Sequence, residues 1–240
     1  MINYKKRDFV CFIPAKGNSK RIPKKNIRPF LGKPIIHHPI ISALDTNIFD
    51  EIFVYTNCKD VIDTVKECPV KIESEPKSDN SKRNLTTCLT EFLRKHKNRY
   101  KYLCLMMPTS VFVNDTILKN GLKYLIQVGF QTVFSAKNLS IPIDRAFQIS
   151  DAKRQTLTMV KKDFKYVFTQ DIKESYFDAG QFYWIDIEKF NANPHIFNEN
   201  TGFLEINKSV DIDNPIDWEI AELMYKFHKY RDGETFLSDL

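Results

Sequence analysis

Between residues 9 and 136, short apolar runs rich in β-forming residues alternate with longer stretches of helical periodicity. This rhythm constrains the fold more than any other feature of the chain. The runs are FVCFIP (9–14), EIFVYT (51–56), PVKIE (69–73), YLCLMM (102–107) and QTVFSA (131–136). Between them PIIHHPIISALD, KDVIDTVKE, NLTTCLTEFLRKHK and NDTILKNGLKYLIQVG read as helices, the last opening on Asn114 and Asp115 as N-cap candidates and ending at Gly129. Such alternation predicts an α/β, Rossmann-like architecture: a mostly parallel twisted sheet flanked by helices. Ligands of these sheets bind beyond the carboxyl ends of the strands, so the loops after Ile13, Tyr55 and Met107 become site candidates together.

After about residue 137 the rhythm changes. AFQIS, TLTMVKK, KYVFTQD and AGQFYWID read as strands with no long helices between them, which predicts a hairpin-rich extension over roughly 138–185. A last helix is signalled by Asn214 as N-cap and Pro215 as first residue, with Ile216, Ile220, Leu223, Met224 and Phe227 on one face. No Gly/Ser-rich or Pro-rich linker interrupts the 240 residues, so one domain spanning 1–240 is expected. No apolar run approaches the roughly 18 residues that cross a bilayer. The run Phe9–Ile13 is too short for a signal-peptide core, and the expectation is a cytoplasmic protein with no membrane partner. Five cysteines, Cys11, Cys58, Cys68, Cys88 and Cys104, without a CxxC pair fit neither a disulfide framework nor a zinc site, and are expected as reduced thiols. His37 and His38 are adjacent, which on a helix turns them about 100° apart, and they read as structural rather than as a metal pair.

The charge is unevenly spread. Residues 1–33 hold ten cations and one acid, +9 in a chain whose net charge is +6. A positive charge this local points to an anionic partner near the N-terminal segment, whether a nucleic acid, a membrane surface or a small phosphorylated ligand; a nucleic acid would need a long basic face. Lys16, Lys20, Arg21, Lys24 and Lys25 crowd the loop after FVCFIP, with Gly17 allowing close backbone approach and Pro14 and Pro23 stiffening its path. A triphosphate would suit such a loop, although it is neither a Walker A motif nor GxGxxG. A solvated lysine-rich loop is the plain alternative.

PAKGNSKRIPKKN, followed by GKPIIHHPI, resembles the signature of the cytidylyltransferases that activate sialic-acid-like sugars, which runs as strand, A-R-x-x-S-K-x-I-P-x-K-N, then G-K-P. MMPTS is similar to the family's Q-P-T-S segment, and SVDIDNPIDWEIAE to its late D-I-D-T-x-x-D segment, so the resemblance covers nearly the whole chain. TQDIKESYFDAGQFYWID resembles most the branch acting on pseudaminic acid, with the N-acetylneuraminic and legionaminic acid branches as alternatives. A non-catalytic nucleotide or nucleic-acid binder that kept only the basic loop is the alternative of another class.

The resemblance implies transfer of CMP from CTP to the anomeric hydroxyl of a nonulosonic acid with release of pyrophosphate. It also implies Mg²⁺ as cofactor, CTP and the sugar acid as small-molecule partners, and a homodimer formed through the extension. It assigns catalysis to Lys25, Lys16, Asp211 and Asp213. Nucleotide binding falls to Ala15, Gly17, Asn18, Ser19, Lys20, Lys25, Asn26, Thr86 and Thr87, although simple capping of the helix that starts there is an equal reading of the two threonines. Lys16 stands where the family has arginine, keeping the charge but losing the planar fork. Asp211 and Asp213 match the metal-binding aspartates, and alternation along VDID projects both to one side. Two acids ahead of a helix can also simply favour its dipole. The sugar side is assigned to Thr109, Ser110, Gln170, Asp171, Asp178 and Gln181, and Tyr176, Phe182, Tyr183 and Trp184 to the core or a subunit contact. Met107 replaces the glutamine of the sialic branch.

Overall fold

The computed structural model describes residues 8–17, 19–74 and 84–231. In chain order its elements are β1 (Phe9–Pro14), β2 (Pro29–Phe30), β3 (Lys33–Pro34), α1 (His37–Asp45), β4 (Glu51–Tyr55), α2 (Lys59–Val65), β5 (Lys71–Glu73), α3 (Leu85–Lys95) and β6 (Tyr102–Met106). There follow α4 (Asp115–Val128), β7 (Thr132–Asn138), β8 (Phe147–Asp151), β9 (Thr156–Met159), β10 (Tyr176–Asp186), α5 (Ile187–Ala192), β11 (Thr201–Glu205) and α6 (Pro215–Arg231). Among the described residues seven strands form one sheet in the order β11-β7-β10-β6-β1-β4-β5. Every neighbouring pair is parallel except the two made by β10, which runs antiparallel between β6 and β7.

Every residue of β1 and β6 is buried, as central parallel strands covered on both faces must be. One core layer, around Ile13, Ile40, Leu118, Leu122 and Trp184, fills the space under α1 and α4. The opposite layer, around Phe12, Phe53, Leu89, Phe92 and Tyr183, packs under α3. The helix ends follow their local chemistry. Asn84 and Asn114 cap α3 and α4 by accepting N–H groups three residues on, and Gly129 closes α4 in the left-handed region at φ 80°. Gly32 of the GKP segment sits at φ 84° beside Leu31 at φ 47°, the two positive angles that a tight β2–β3 hairpin requires.

Three expectations are corrected. KYVFTQD (165–171) forms no strand; it follows a 3₁₀ turn at Lys162–Phe164 and ends in another at Thr169–Asp171, because most of its side chains are exposed and no strand among the described residues pairs with it. AGQFYWID is not part of an outlying extension but the half of β10 that fills the middle of the main sheet, where near-continuous apolar character satisfies burial on both faces. The excursion proper is the stretch between Asn138 and Tyr176, carrying the separate β8–β9 hairpin. On α6 the apolar face from Ile216 to Phe227 points away from the core, which instead receives Trp218 and Ala221 against Phe30, Ile35 and Ile212. No helix of the described residues is long and apolar enough to cross a membrane, and all five cysteines are free thiols. His37 and His38 bond the carbonyls of Thr64 and Phe30, a structural role as expected.

Candidate active site

The sheet topology brings distant segments to one edge. The carboxyl ends of β1, β4 and β6 point the same way, and because β10 is antiparallel, its beginning, not its end, arrives at that edge. The chain leaving β11, parallel to β7, delivers residues 206–214 there as well. The resulting cleft, about 350 Å³, is lined by Pro14, Lys16, Ser19, Lys25, Asn26, Leu85, Cys88, Met107, Pro108 and Thr109. A recess of about 430 Å³ at the opposite edge, bounded by Asp8, Arg99, Lys101 and Glu188, gathers none of these loops.

The loop after β1 is held from inside. Ala15 donates its N–H to Tyr55 O at 2.9 Å, and the buried Asn26 donates from Nδ2 to Lys16 O at 2.8 Å, so the asparagine pins the loop's backbone. Gly17 is required by close approach to protein rather than to ligand. A Cβ built there would lie 2.7 Å from Cys58 Sγ and 2.9 Å from Cys58 Cβ. Gly17→Ala is therefore expected to displace the loop and raise KM for CTP about tenfold, as a misplaced binding group does. Cys58→Gly in the same chain, which removes both clashing atoms, should recover most of that loss in steady-state assays.

The basic loop meets the late acidic segment directly. Lys25 Nζ donates to Ile212 O at 2.6 Å and lies 3.5 Å from Asp213 Oδ1, the same oxygen that Arg21 approaches at 2.8 Å. VDID forms no ladder, yet its alternation holds: Ile212 is buried while Asp211 and Asp213 face outward. Asp213 is fixed by the start of α6. Asp217 accepts the N–H groups of Asp213 and Asn214 at 2.9 and 2.8 Å, while Asn214 accepts that of Asp217 at 3.0 Å, a reciprocal cap.

A bulge in β10 completes this acidic side. Pairing with β7 shifts register between Asp178 and Tyr183, and the buried Ser135 hydroxyl accepts the N–H groups of Gln181 and Phe182 that leave the ladder. Gly180 adopts φ 62°, and a Cβ there would stand 3.6 Å from Asp211 Oδ1. Asp178 accepts from Gly180 N at 2.9 Å and from the Tyr183 hydroxyl at 2.5 Å, and it faces the same acidic group. Burial and the neighbouring Asp213, with further pushes from Asp178 and Asp217, hold the Asp211 carboxyl above its ordinary value against the pull of Lys25.

A hard divalent cation takes oxygen ligands, and Asp211 and Asp213 are the residues here that could offer two of them. Among the described residues no group of three or more His, Cys, Asp or Glu has metal-holding geometry, so substrate oxygens and water would complete the shell. The raised Asp211 pKa also has a sign for stability. A carboxyl harder to ionise in the folded than in the unfolded state costs nothing at acid pH and destabilises as pH rises through its folded pKa. Asp211→Asn is expected to raise the melting temperature of metal-free protein at neutral pH, with the gain vanishing below about pH 4, near the ordinary carboxylate pKa.

Other candidates are placed less simply. Ser19 and Lys20 line the basic rim with Arg21, Lys25 and Asp213, and Thr109 borders the cleft. Ser110 is fully buried and donates to Gln181 O, and Gln181 is itself buried with no hydrogen-bond partner for Oε1 among the described residues. Thr87 serves the Asn84 cap, and Leu85 and Cys88, not Thr86 or Thr87, reach the cleft. Gln170 and Asp171 sit exposed on the excursion and do not line the cleft of their own chain. Asn18 lies outside the described residues. The contributions of Leu85 and Cys88 carried no sequence signal; Pro108 and Asp217 lay inside the MMPTS and SVDIDNPIDWEIAE segments without a role of their own, and Arg21 lay inside the basic loop among four lysines.

The chain belongs to the cytidylyltransferase family, whose model matches residues 10–236, and is thereby a nucleotidyltransferase. It is 33% identical over 228 residues to a pseudaminic acid cytidylyltransferase of Campylobacter jejuni, covering 90% of this chain and 96% of that one. It is 25% identical to the CMP-N,N'-diacetyllegionaminic acid synthase of Legionella pneumophila, covering 92% and 97%. Among solved structures it superposes on CMP:2-keto-3-deoxy-manno-octonic acid synthetase complexed with CTP, with a TM-score of 0.68 and 15% identity over 92% of this chain and 99% of that chain.

Proposed function

We propose that the protein transfers CMP from CTP to the anomeric hydroxyl of pseudaminic acid. The observation that carries this reading is the junction of Lys25 and Arg21 with Asp213, which joins a cationic phosphate loop to a pair of carboxylates at the ligand-binding edge. In the reaction the anomeric oxygen forms a bond to the α-phosphorus, the bond from that phosphorus to the bridging oxygen breaks, pyrophosphate departs with the bridging oxygen and the hydroxyl proton passes to solvent. Lys16, Lys20 and Lys25 supply fixed positive charge toward the triphosphate, which is worth most where it needs no reorganisation. Mg²⁺ held by Asp211 and Asp213 would neutralise phosphate charge and acidify the attacking hydroxyl. Leu85, Cys88, Met107 and Pro108 give the cleft an apolar wall.

The sugar is inferred from β10. Asp178, anchored by Tyr183 and Gly180, stands beside Asp211, where the acceptor hydroxyl must arrive, and the segment DAGQFYWID carries the resemblance to the pseudaminic acid branch. The Campylobacter relative supports this choice, and the Legionella relative makes N,N'-diacetyllegionaminic acid the reading to test against it. We place the enzyme in the cytoplasm. As a dimer, its excursion covers a neighbour's cleft; exposed Ile141, Ile143, Phe147, Ile149, Leu157 and Phe168 give it the apolar surface for that contact. Gln170 and Asp171 would then serve the partner's sugar.

The experiment is pyrophosphate release with CTP and Mg²⁺ and each of pseudaminic, N-acetylneuraminic and legionaminic acids in parallel. At least about tenfold higher kcat/KM for pseudaminic acid is expected, since a site built for particular polar groups rejects analogues lacking them. Equal or greater turnover of another acid replaces the assignment, and no release with any of them overturns the reading.

A further inference from the structure

Helix α6 is apolar on two sides. One side packs Trp218, Ala221 and Tyr225 against Phe30 and Ile212, while the other displays Ile216, Ile220, Leu223, Phe227 and Tyr230, of which Ile216, Leu223 and Phe227 are 66, 68 and 61% exposed. Spacings of four, three, four and three residues make this outer row a coiled-coil seam, and a second apolar row of this length is one that a partner covers. The charges beside it are segregated. Asp217, Glu219 and Glu222 occupy the first half without a base, and Lys226, His228, Lys229 and Arg231 the second half without an acid. The helix's own dipole accounts for that order, but not for the exposed seam.

We propose that the occupant is a second copy of the same helix, packed antiparallel about a two-fold axis at Leu223. In that register Leu223 meets its twin, Ile216 faces Tyr230 and Ile220 lies beside Phe227. The flanking exposed Glu219 falls opposite Lys226 of the other copy, twice over by symmetry. A parallel pairing would set acid against acid and base against base. The acidic half of one helix against the basic half of the other is the complementarity that selects partner and orientation. This contact uses residues of α6 and none of the excursion hairpin, so together with the dimer proposed above it would build a tetramer.

The test is analytical ultracentrifugation of the full chain over a dilution series. Leu223→Glu places two carboxylates on the axis and is expected to halve the mass of the assembly, whatever its starting size, and to weaken association at least about thirtyfold, as loss of a central anchor does. Glu219→Lys and Lys226→Glu should each weaken it about tenfold by creating two like-charge contacts. The double exchange Glu219→Lys with Lys226→Glu should return it to the wild-type value, an outcome that self-pairing alone produces. Unchanged mass in Leu223→Glu, as when residues 232–240 or another surface cover the seam, overturns the proposal, and so does a double exchange that adds the two losses. Hairpin substitutions such as Ile149→Asp report on the other contact, so the two fail independently.

Discussion

Lys25→Met is expected to lower kcat for CTP-dependent pyrophosphate release by roughly 10²–10³, the loss typical of removing one preorganised group from developing negative charge. The side chain is 22% exposed and its ammonium is held by Ile212 O and Asp213, so it is already aimed before substrate binds. Lys25→Arg should recover little, because the 2.6 Å bond to a backbone carbonyl fits a compact point donor and not a planar fork. Asp213→Asn alone should lose activity on the same scale by weakening the anchor for both Lys25 and Arg21. Combining it with Lys25→Met should cost less than the product of the two single losses, since the residues act as a unit. Rates within tenfold of wild type for Lys25→Met in a saturating assay would remove this lysine from the machinery.

Trp184→Ala is expected to destabilise the fold by about 3–5 kcal/mol, at the upper end for a core truncation. The indole is fully buried, donates from Nε1 to Leu118 O at 2.9 Å, stacks on Phe49 and meets Phe9 edge-on. Its place is made by Gly121 of α4, where a Cβ would come within 2.9 Å of Trp184 Cδ1. Trp184 thus joins α4 to the one antiparallel strand of the main sheet, which also carries Asp178 to the site. The check is urea unfolding, with a midpoint drop of at least about 1 M at the usual slope of 1–3 kcal/mol/M. A shift under 0.3 M would mean that the cavity collapses around Phe9 and Phe49. Trp184→Phe should lie between the two, keeping ring contacts and losing the indole donor.

The sequence by itself determined what rests on interactions spanning a few residues. Asn84, Asn114 and Asn214 mark helix starts because each side chain bonds an N–H three residues on, and Gly129 ends α4 because the turn there needs a positive φ. The periodicity of residues 9–136 is likewise local, and it was enough to place the basic loop at the carboxyl end of a buried strand. The order of residues in that loop and in VDID carried the resemblance to the cytidylyltransferases.

Only the tertiary structure decided which distant segments meet. Lys25 and Asp213 are 188 residues apart, and nothing in either segment names the other. AGQFYWID reads equally well as a hairpin strand or a buried central one; its direction follows from pairing with β6 and β7, and that direction turns Asp178 toward Asp211. Thr87 donates to the Asn84 cap, Ser110 and Gln181 became core, and Gln170 and Asp171 do not line their own cleft. The apolar row on α6 has the period of a core face whichever way the helix is turned. Period records that a face is to be covered, whereas the covering partner is chosen by summed packing over the whole chain and its neighbours.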